Sequence, residues 1–276
     1  LTSRVYSAQN LPKDDADLTL LIPHEWIRQE LQAAMKSLEA LDHTMSPENA
    51  WQAHNFARWL VYFLAKLLQG HYEHKEKVFL PWLKRHNVKM EHADSMMQRL
   101  TTVMDKNDGL LEEVSYFASE LMAQEGMASD ETMDNLKQTL PRLVEELQDI
   151  FYQEEKEIPA AIRAANLNKE EHDQIRTQRR ATRALDALHT ELPGTLLATQ
   201  HWVTPEYYET FQTEFVGGSS SSSSSTSQLL ELCKQVFIPN YQNIHCALRD
   251  SPLLNEKPTW KEIPLDRRKL PASIVG

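Results

Sequence analysis

Apolar residues recur every three or four positions along most of the chain, which is the spacing of one face of an α-helix. The first stripe predicts a helix over residues 23–42. Ser46 precedes Pro47 in a pattern typical of a helix start, and it predicts a second helix over residues 46–80. Further stripes predict a third helix over residues 87–106, a shorter helix beginning at Leu110, and a longer helix capped by Ser129 and bent or started by Pro141.

The rest of the chain predicts accessory helices, a linker and a tail. A charged amphipathic pattern covers residues 169–191, and Thr204 with Pro205 opens a short helix. The stretch "GGSSSSSSSTS" at 217–227 is typical of a flexible linker, and helical spacing returns over residues 228–248.

The expected fold class is all-α, because no run of alternating β-branched and aromatic residues predicts a strand. We expect an antiparallel up-down four-helix bundle with additional C-terminal helices and a proline-rich tail. No internal repeat is evident. The expected organisation is an N-terminal arm (1–22), the four-helix bundle (23–163), accessory helices (164–216), the Ser-rich linker (217–227), and a C-terminal helix and tail (228–276).

Composition narrows the possible functions. The chain of 276 residues is 41% hydrophobic, so we expect it to bury a substantial core. A net charge of −11 argues against nucleic acid as a partner. The longest apolar run, residues 59–69, is too short to span a membrane. Only two cysteines occur, which favours a reducing compartment: the cytoplasm, or an organelle interior after removal of a targeting segment.

Three histidines fall on the apolar stripes of three different predicted helices. His24 begins the first helix, His71 lies near the end of the second, and His92 begins the third. Because successive helices of an up-down bundle alternate in direction, these three positions lie at the same end. Imidazoles from three helices are a reasonable ligand set for iron or zinc. A single inward histidine, by contrast, is more often an ordinary core residue than a metal ligand.

Four stretches at these places resemble the segments of hemerythrin-like (HHE cation-binding) domains. They are "PHEWIRQEL" at 23–31, "HYEHKEKVFLPWL" at 71–83, "EHADSMMQRL" at 91–100 and "YQEEKEIPAAI" at 152–162. A fifth stretch, "CKQVFIPNYQNIHCAL" at 233–248, resembles a tail segment of longer family members. The resemblance implies a four-helix bundle with a di-iron site, to which His24, His71 and His92 would contribute ligands. A module that binds a single iron or zinc would use the same three histidines, with His74 or Glu73 as a further candidate.

The sequence departs from that family pattern at two places. The family's bridging glutamate lies four residues after the second-helix histidine, where this chain has Lys75. The fourth helix carries no histidine. Counting back from its proline places Asp149 and Gln153 at the ligand positions, whereas helix periodicity places Ile150 and Glu154 there.

These departures predict a degenerate metal site. The ammonium of Lys75 would repel ferrous ions, and we expect it to take the place of the metal and to pair with Glu154, with the three histidines around the pair. The first functional hypothesis is a structural or interaction subunit that binds protein partners through its N-terminal arm and C-terminal tail, with no cofactor. The alternative is a mononuclear or di-iron metal- or oxygen-binding module that senses or stores its ligand. An enzyme ranks last, because the chain has no nucleophile elbow or phosphate-binding loop.

Overall fold

A computed structural model describes the chain over residues 15–41, 46–90, 92–127, 129–167, 170–171, 185–200, 203, 205, 208–209, 211–212 and 223–265. Helices account for most of these residues, and no β-strand occurs among them. The prediction of an all-α fold is therefore confirmed.

The long helices follow the predicted order along the chain. They are α1 (Asp15–Ala40), α2 (residues 50–85), α3 (Ala93–Val103), α4 (Leu110–Ala123), α5 (Asp130–Ala164), α6 (Leu185–Gln200) and α7 (residues 223–249). A short 3₁₀ turn, Ser251–Leu253, then leads into a tail that forms neither helix nor strand up to residue 265.

Wide π-turns interrupt the two composite helices. In α2 they are Leu60–Leu64 and Lys75–Phe79, and in α7 they are Cys233–Phe237 and Tyr241–Cys246. A π-turn inserts one residue into an α-helix while the helix continues on both sides, and such turns are often found at functional sites. In α2 the second π-turn begins at Lys75, whose carbonyl accepts a hydrogen bond from the N–H of Leu80.

Several helix boundaries differ from the predicted ones. α1 begins at Asp15 rather than at residue 23, because Leu20, Leu21 and Ile22 are apolar and buried and extend its stripe through Pro23. α5 likewise continues through Pro141, and its Ser129 cap is confirmed by the hydrogen bond that Ser129 Oγ accepts from the N–H of Thr132.

Other predicted segments lie partly outside the described residues. Residues 1–14 of the predicted arm and 172–184 of the charged helix are among them. The same holds for residues 217–222 of the predicted linker, whereas α7 already begins at Ser223.

The main core lies between α1, α2, α4 and α5. α5 packs along α1 and α4 and is contacted by α3, while α2 packs against α4. Buried side chains such as Leu31, Phe56, Leu64, Leu121 and Leu147 form one continuous apolar cluster. This cluster fixes how α1, α2 and α5 are rotated, and so fixes which polar residues of these helices meet.

The C-terminal helices pack on the side of α1 that faces away from α5. Trp26 Nε1 donates to the hydroxyl of Tyr241 at 2.9 Å, and that hydroxyl donates to Glu30 at 2.5 Å. Arg249 forms an ion pair with Glu30 at 2.8 Å. Burial raises the pKa of Tyr241, so its hydroxyl remains a donor to Glu30 at neutral pH. These contacts attach the end of the chain to α1.

Among the helices that the structure describes, none is both long enough and apolar enough to cross a membrane.

Candidate functional site

A buried ion pair joins α2 to α5. Lys75 lies four residues after His71 on the inner face of α2, and Glu154 lies three residues after Phe151 on the inner face of α5. Both side chains are 4% exposed, and Lys75 Nζ donates to Glu154 Oε2 at 2.5 Å. The predicted pairing of these two residues is confirmed.

His24 of α1 lies between two carboxylates of α5. Its Nε2 is 3.3 Å from Glu154 Oε2, and its Nδ1 is 2.9 Å from Glu155 Oε1. Arg28, one helical turn later, donates to the same Glu155 oxygen at 2.6 Å. Three helices are thus connected by one continuous set of charged and polar contacts, which we call the polar centre: His24, Arg28, Lys75, Glu154 and Glu155.

The ring of Phe151 packs against the polar centre. His24 stacks on it with 4.0 Å between ring centroids, and His71 approaches it edge-on at 5.8 Å. Lys75 Nζ lies 5.1 Å from the same ring centroid, within the range of a cation–π interaction. Because an apolar ring borders the ion pair, little water screens the charges, and each charge depends strongly on its partner.

The neighbours of Glu154 keep its carboxylate ionised at neutral pH. Burial alone would raise the pKa of Glu154, but the charge of Lys75 and the neighbouring His24 outweigh it and lower that pKa to about 2. Burial lowers the pKa of Lys75, against the attraction of Glu154. Burial also acts to raise the pKa of Glu155, but His24 and Arg28 outweigh it, so this pKa is lowered too.

The predicted site residues do not all meet. His24, His71 and Glu154 lie together, since the rings of His24 and His71 are 5.3 Å apart and His24 contacts Glu154. His74 is half-buried on the flank of α2.

The prediction that His92 faces the interior is wrong. Its side chain is 58% exposed and its Nδ1 lies 2.5 Å from Glu157 Oε1 on the outside of α5. α3 begins only at Ala93, so His92 precedes the helix and the spacing of the α3 stripe does not set its direction.

Two residues of the polar centre were not predicted. Arg28 lies four residues after His24 and therefore on the same face of α1, a signal that the sequence does contain. Glu155 lies at the edge of the α5 stripe, where periodicity alone does not distinguish a buried carboxylate from a solvated one.

The π-turn explains why counting from the prolines gave the wrong fourth-helix residues. Lys75 is six residues before Pro81, and Glu154 is five residues before Pro159. The π-turn Lys75–Phe79 inserts one residue in α2, whereas α5 is α-helical throughout. Correcting for that residue makes Glu154 the counterpart of Lys75, in agreement with helix periodicity.

The residues of the polar centre do not fit a di-iron group. The ammonium of Lys75 contacts the carboxylate that would have to bind the metal, and it would repel a cation there. Among the described residues, no group of three or more His, Cys, Asp or Glu side chains is arranged to hold a metal ion.

Comparison with known proteins identifies no relative: no protein-family model, no curated protein and no solved structure matches this sequence.

Proposed function

We propose that this chain is a hemerythrin-like helical-bundle protein in which the Lys75–Glu154 pair takes the place of the metal, and that it acts as a structural or interaction subunit. The observation that carries the proposal is the 2.5 Å contact between Lys75 Nζ and Glu154 Oε2 in the interior. In this arrangement the positive charge that holds the carboxylate and histidine side chains together is covalently part of the chain. The protein therefore needs no cofactor to neutralise Glu154.

The packing of the helices supports the bundle part of the proposal. α1, α2, α4 and α5 share one apolar core, and α3 packs on α5 beside it. Residues 46–164, with α1, thus supply the helices that a four-helix bundle requires.

The C-terminal tail supports the interaction part. Over residues 254–265 the chain forms neither helix nor strand, and most of its side chains, including Trp260 at 38%, are exposed. Asn240 holds it in place by accepting from the N–H of Ile263 at 2.7 Å and donating to the carbonyl of the same residue at 2.8 Å. A non-helical segment held at a fixed position offers backbone and aromatic groups to a protein partner.

The alternative, a metal- or oxygen-binding module built on His24 and His71, has less support. It would require the Lys75 ammonium to leave Glu154, which would bury an unpaired charge.

The experiment that tests the proposal compares metal binding by wild type and Lys75→Glu. Purified wild-type protein should contain far less than one iron or zinc per chain by elemental analysis. Its melting temperature should not change on addition of Fe²⁺ or Zn²⁺. Lys75→Glu should be less stable without metal, because a third carboxylate then faces Glu154 and Glu155, and should gain stability when the metal is added.

Lys77→Glu is the matched control. Lys77 belongs to the same π-turn, but its side chain is 64% exposed and its ammonium pairs with Glu73 at the surface. Its variant should not respond to metal. Two irons per wild-type chain, or equal stabilisation of wild type and Lys75→Glu by metal, would contradict the proposal.

A further inference from the structure

The π-turn at Lys75 has a counterpart in α7. The stretches "KEKVFLP" (75–81) and "CKQVFIP" (233–239) share Val, Phe and Pro at the same places. Each contains a five-residue π-turn that begins six residues before the proline. In α7 the N–H of Ile238 donates to the carbonyl of Cys233, as Leu80 donates to Lys75 in α2.

The burial pattern of the two stretches also agrees. The first position of each π-turn is buried, the next two are exposed, and the Val–Phe pair is buried again. The residue two places after each proline, Leu83 or Tyr241, is buried as well. In both helices, therefore, the corresponding positions of the two stretches face the core.

The two helices that pack beside these stretches also share a feature. α1 carries an internal proline, Pro23, and α6 carries Pro193, and both prolines are buried within their helices. α6 packs on the π-turn Cys233–Phe237, and α1 packs on the segment of α2 that leads to Lys75.

We infer that α6–α7 is a second copy of the α1–α2 helical pair, and that its centre is apolar. Gly194 follows Pro193 where His24 follows Pro23. Leu229 and Cys233 stand where the first pair has His71 and Lys75. Leu229 and Cys233 belong to one buried apolar cluster together with Leu192, Leu196, Leu232, Val236 and Phe237.

The second pair acts as a positioning element for α1. Ile22 belongs to its apolar cluster, and Trp26 and Glu30, each one turn further on, bond to Tyr241 and Arg249. His24 and Arg28 on the opposite side of α1 bond to α5. Since the second pair contacts one face of α1, it fixes the rotation that directs the other face into the polar centre.

Residue deletions test whether the two π-turns are the same feature. A π-turn is a one-residue insertion, so deleting one exposed residue inside it, with the proline replaced, should give a continuous α-helix whose flanking faces keep their directions. The two test variants are the deletion of Glu76 with Pro81→Ala and the deletion of Lys234 with Pro239→Ala; Glu76 and Lys234 are both exposed.

The matched controls delete an exposed residue in the α-helix before each π-turn. These are the deletion of Gln69 with Pro81→Ala and the deletion of Gln228 with Pro239→Ala. Loss of the π-turn would then rotate the intervening residues by about 100°. That rotation would move Lys75 or Cys233 out of the interior.

Thermal melting followed by circular dichroism gives the readout. Both test variants should keep a cooperative transition within about 5 °C of wild type, and both controls should melt far lower or not fold. The inference is overturned if the Lys234 deletion is as damaging as the Gln228 deletion, or if the two test variants differ from each other as much as they differ from their controls. It stands independently of the proposed function, because no arm involves metal.

Discussion

The α1–α2 pair and the α6–α7 pair each combine a proline in the first helix with a π-turn six residues before a proline in the second, but they have different side chains at the centre. In the first pair His24 and Lys75 meet the carboxylates of α5, and the contacts are directional and charged. In the second pair Gly194 and Cys233 stand at these places, and Cys233 packs within a buried apolar cluster. The first centre therefore depends on matched charges, whereas the second depends on how well the side-chain shapes fit together.

Substitutions at the two centres should destabilise the protein for different reasons and by different amounts. A buried charge that loses its partner is expensive, because burial has removed the water that would otherwise solvate it. A buried apolar side chain that changes shape costs less, in proportion to the cavity or the overlap created. The first pair should therefore be sensitive to single changes and tolerant of paired ones, and the second pair should be sensitive to volume.

Removing one charge from the polar centre should have the largest effect. Lys75→Met leaves Glu154 buried without its cation and should lower the free energy of unfolding by about 3–5 kcal/mol. The double variant Lys75→Met, Glu154→Leu makes the first centre resemble the second and should recover most of that loss. Urea denaturation at pH 7 measures both. Lys77→Met, at an exposed position, is the control and should change stability by less than about 0.5 kcal/mol. A loss for Lys75→Met no larger than this control's would show that the pair is not energetically coupled.

Lowering the pH should destabilise the protein through the same ion pair. The pKa of Glu154 is lowered from 4.5 to about 2 in the folded protein. Between these pH values the unfolded chain binds a proton that the folded protein does not, so stability falls as pH decreases from about 4.5 to 2, by about 3 kcal/mol in total. In Glu154→Gln, the free energy of unfolding should depend much less on pH across this range than it does in wild type. Glu73→Gln, whose side chain is 56% exposed, should keep the wild-type slope, and equal slopes in both variants would contradict the assignment.

The sequence predicted the first centre better than the second for a physical reason. Periodicity of apolar positions directs His71, Lys75 and Glu154 inward, since burial determines the rotation of a helix. The same argument failed for His92, because α3 begins after it. It also failed to reveal that α1 continues before Pro23, a residue that is more typical of a helix start.

The second centre was not predicted because its similarity lies mainly in geometry. Only Val, Phe and Pro are identical between the two seven-residue stretches, too few to indicate a repeat. A π-turn has no sequence signature comparable to a cap or a glycine turn, so the matching turns at Lys75 and Cys233 become visible only in the structure. The turn at Lys75 also accounts for the one-residue offset between α2 and α5 that counting from the prolines could not resolve.

Gly194 should be the position of the second pair most sensitive to volume. A Cβ atom there would lie 2.2 Å from Trp26 Nε1, so Gly194→Ala must displace α6 or the indole ring. We expect a loss of about 1–3 kcal/mol, although alanine is otherwise the better helix former. Gly70→Ala is the matched control, because nothing lies within 4 Å of its added Cβ, and it should gain about 0.5–1 kcal/mol. Thermal melting of the two variants gives shifts of opposite sign; a gain for Gly194→Ala would show that α6 does not approach α1 so closely.

The smallest effect is expected at Cys233, the counterpart of Lys75. Its side chain is fully buried, and burial raises the pKa of its thiol to about 12, so at neutral pH it behaves as a small apolar group. Cys233→Val retains that character and should change the free energy of unfolding by less than about 1.5 kcal/mol. Cys233→Ser has nearly the same shape but brings a hydroxyl into the apolar cluster, and should cost about 1–3 kcal/mol. Cys246→Ser, at a half-buried position, should cost less than Cys233→Ser. Because serine and cysteine differ mainly in polarity, urea denaturation that finds Ser tolerated as well as Val at 233 would mean that this centre contains polar partners and is not the apolar copy of the first.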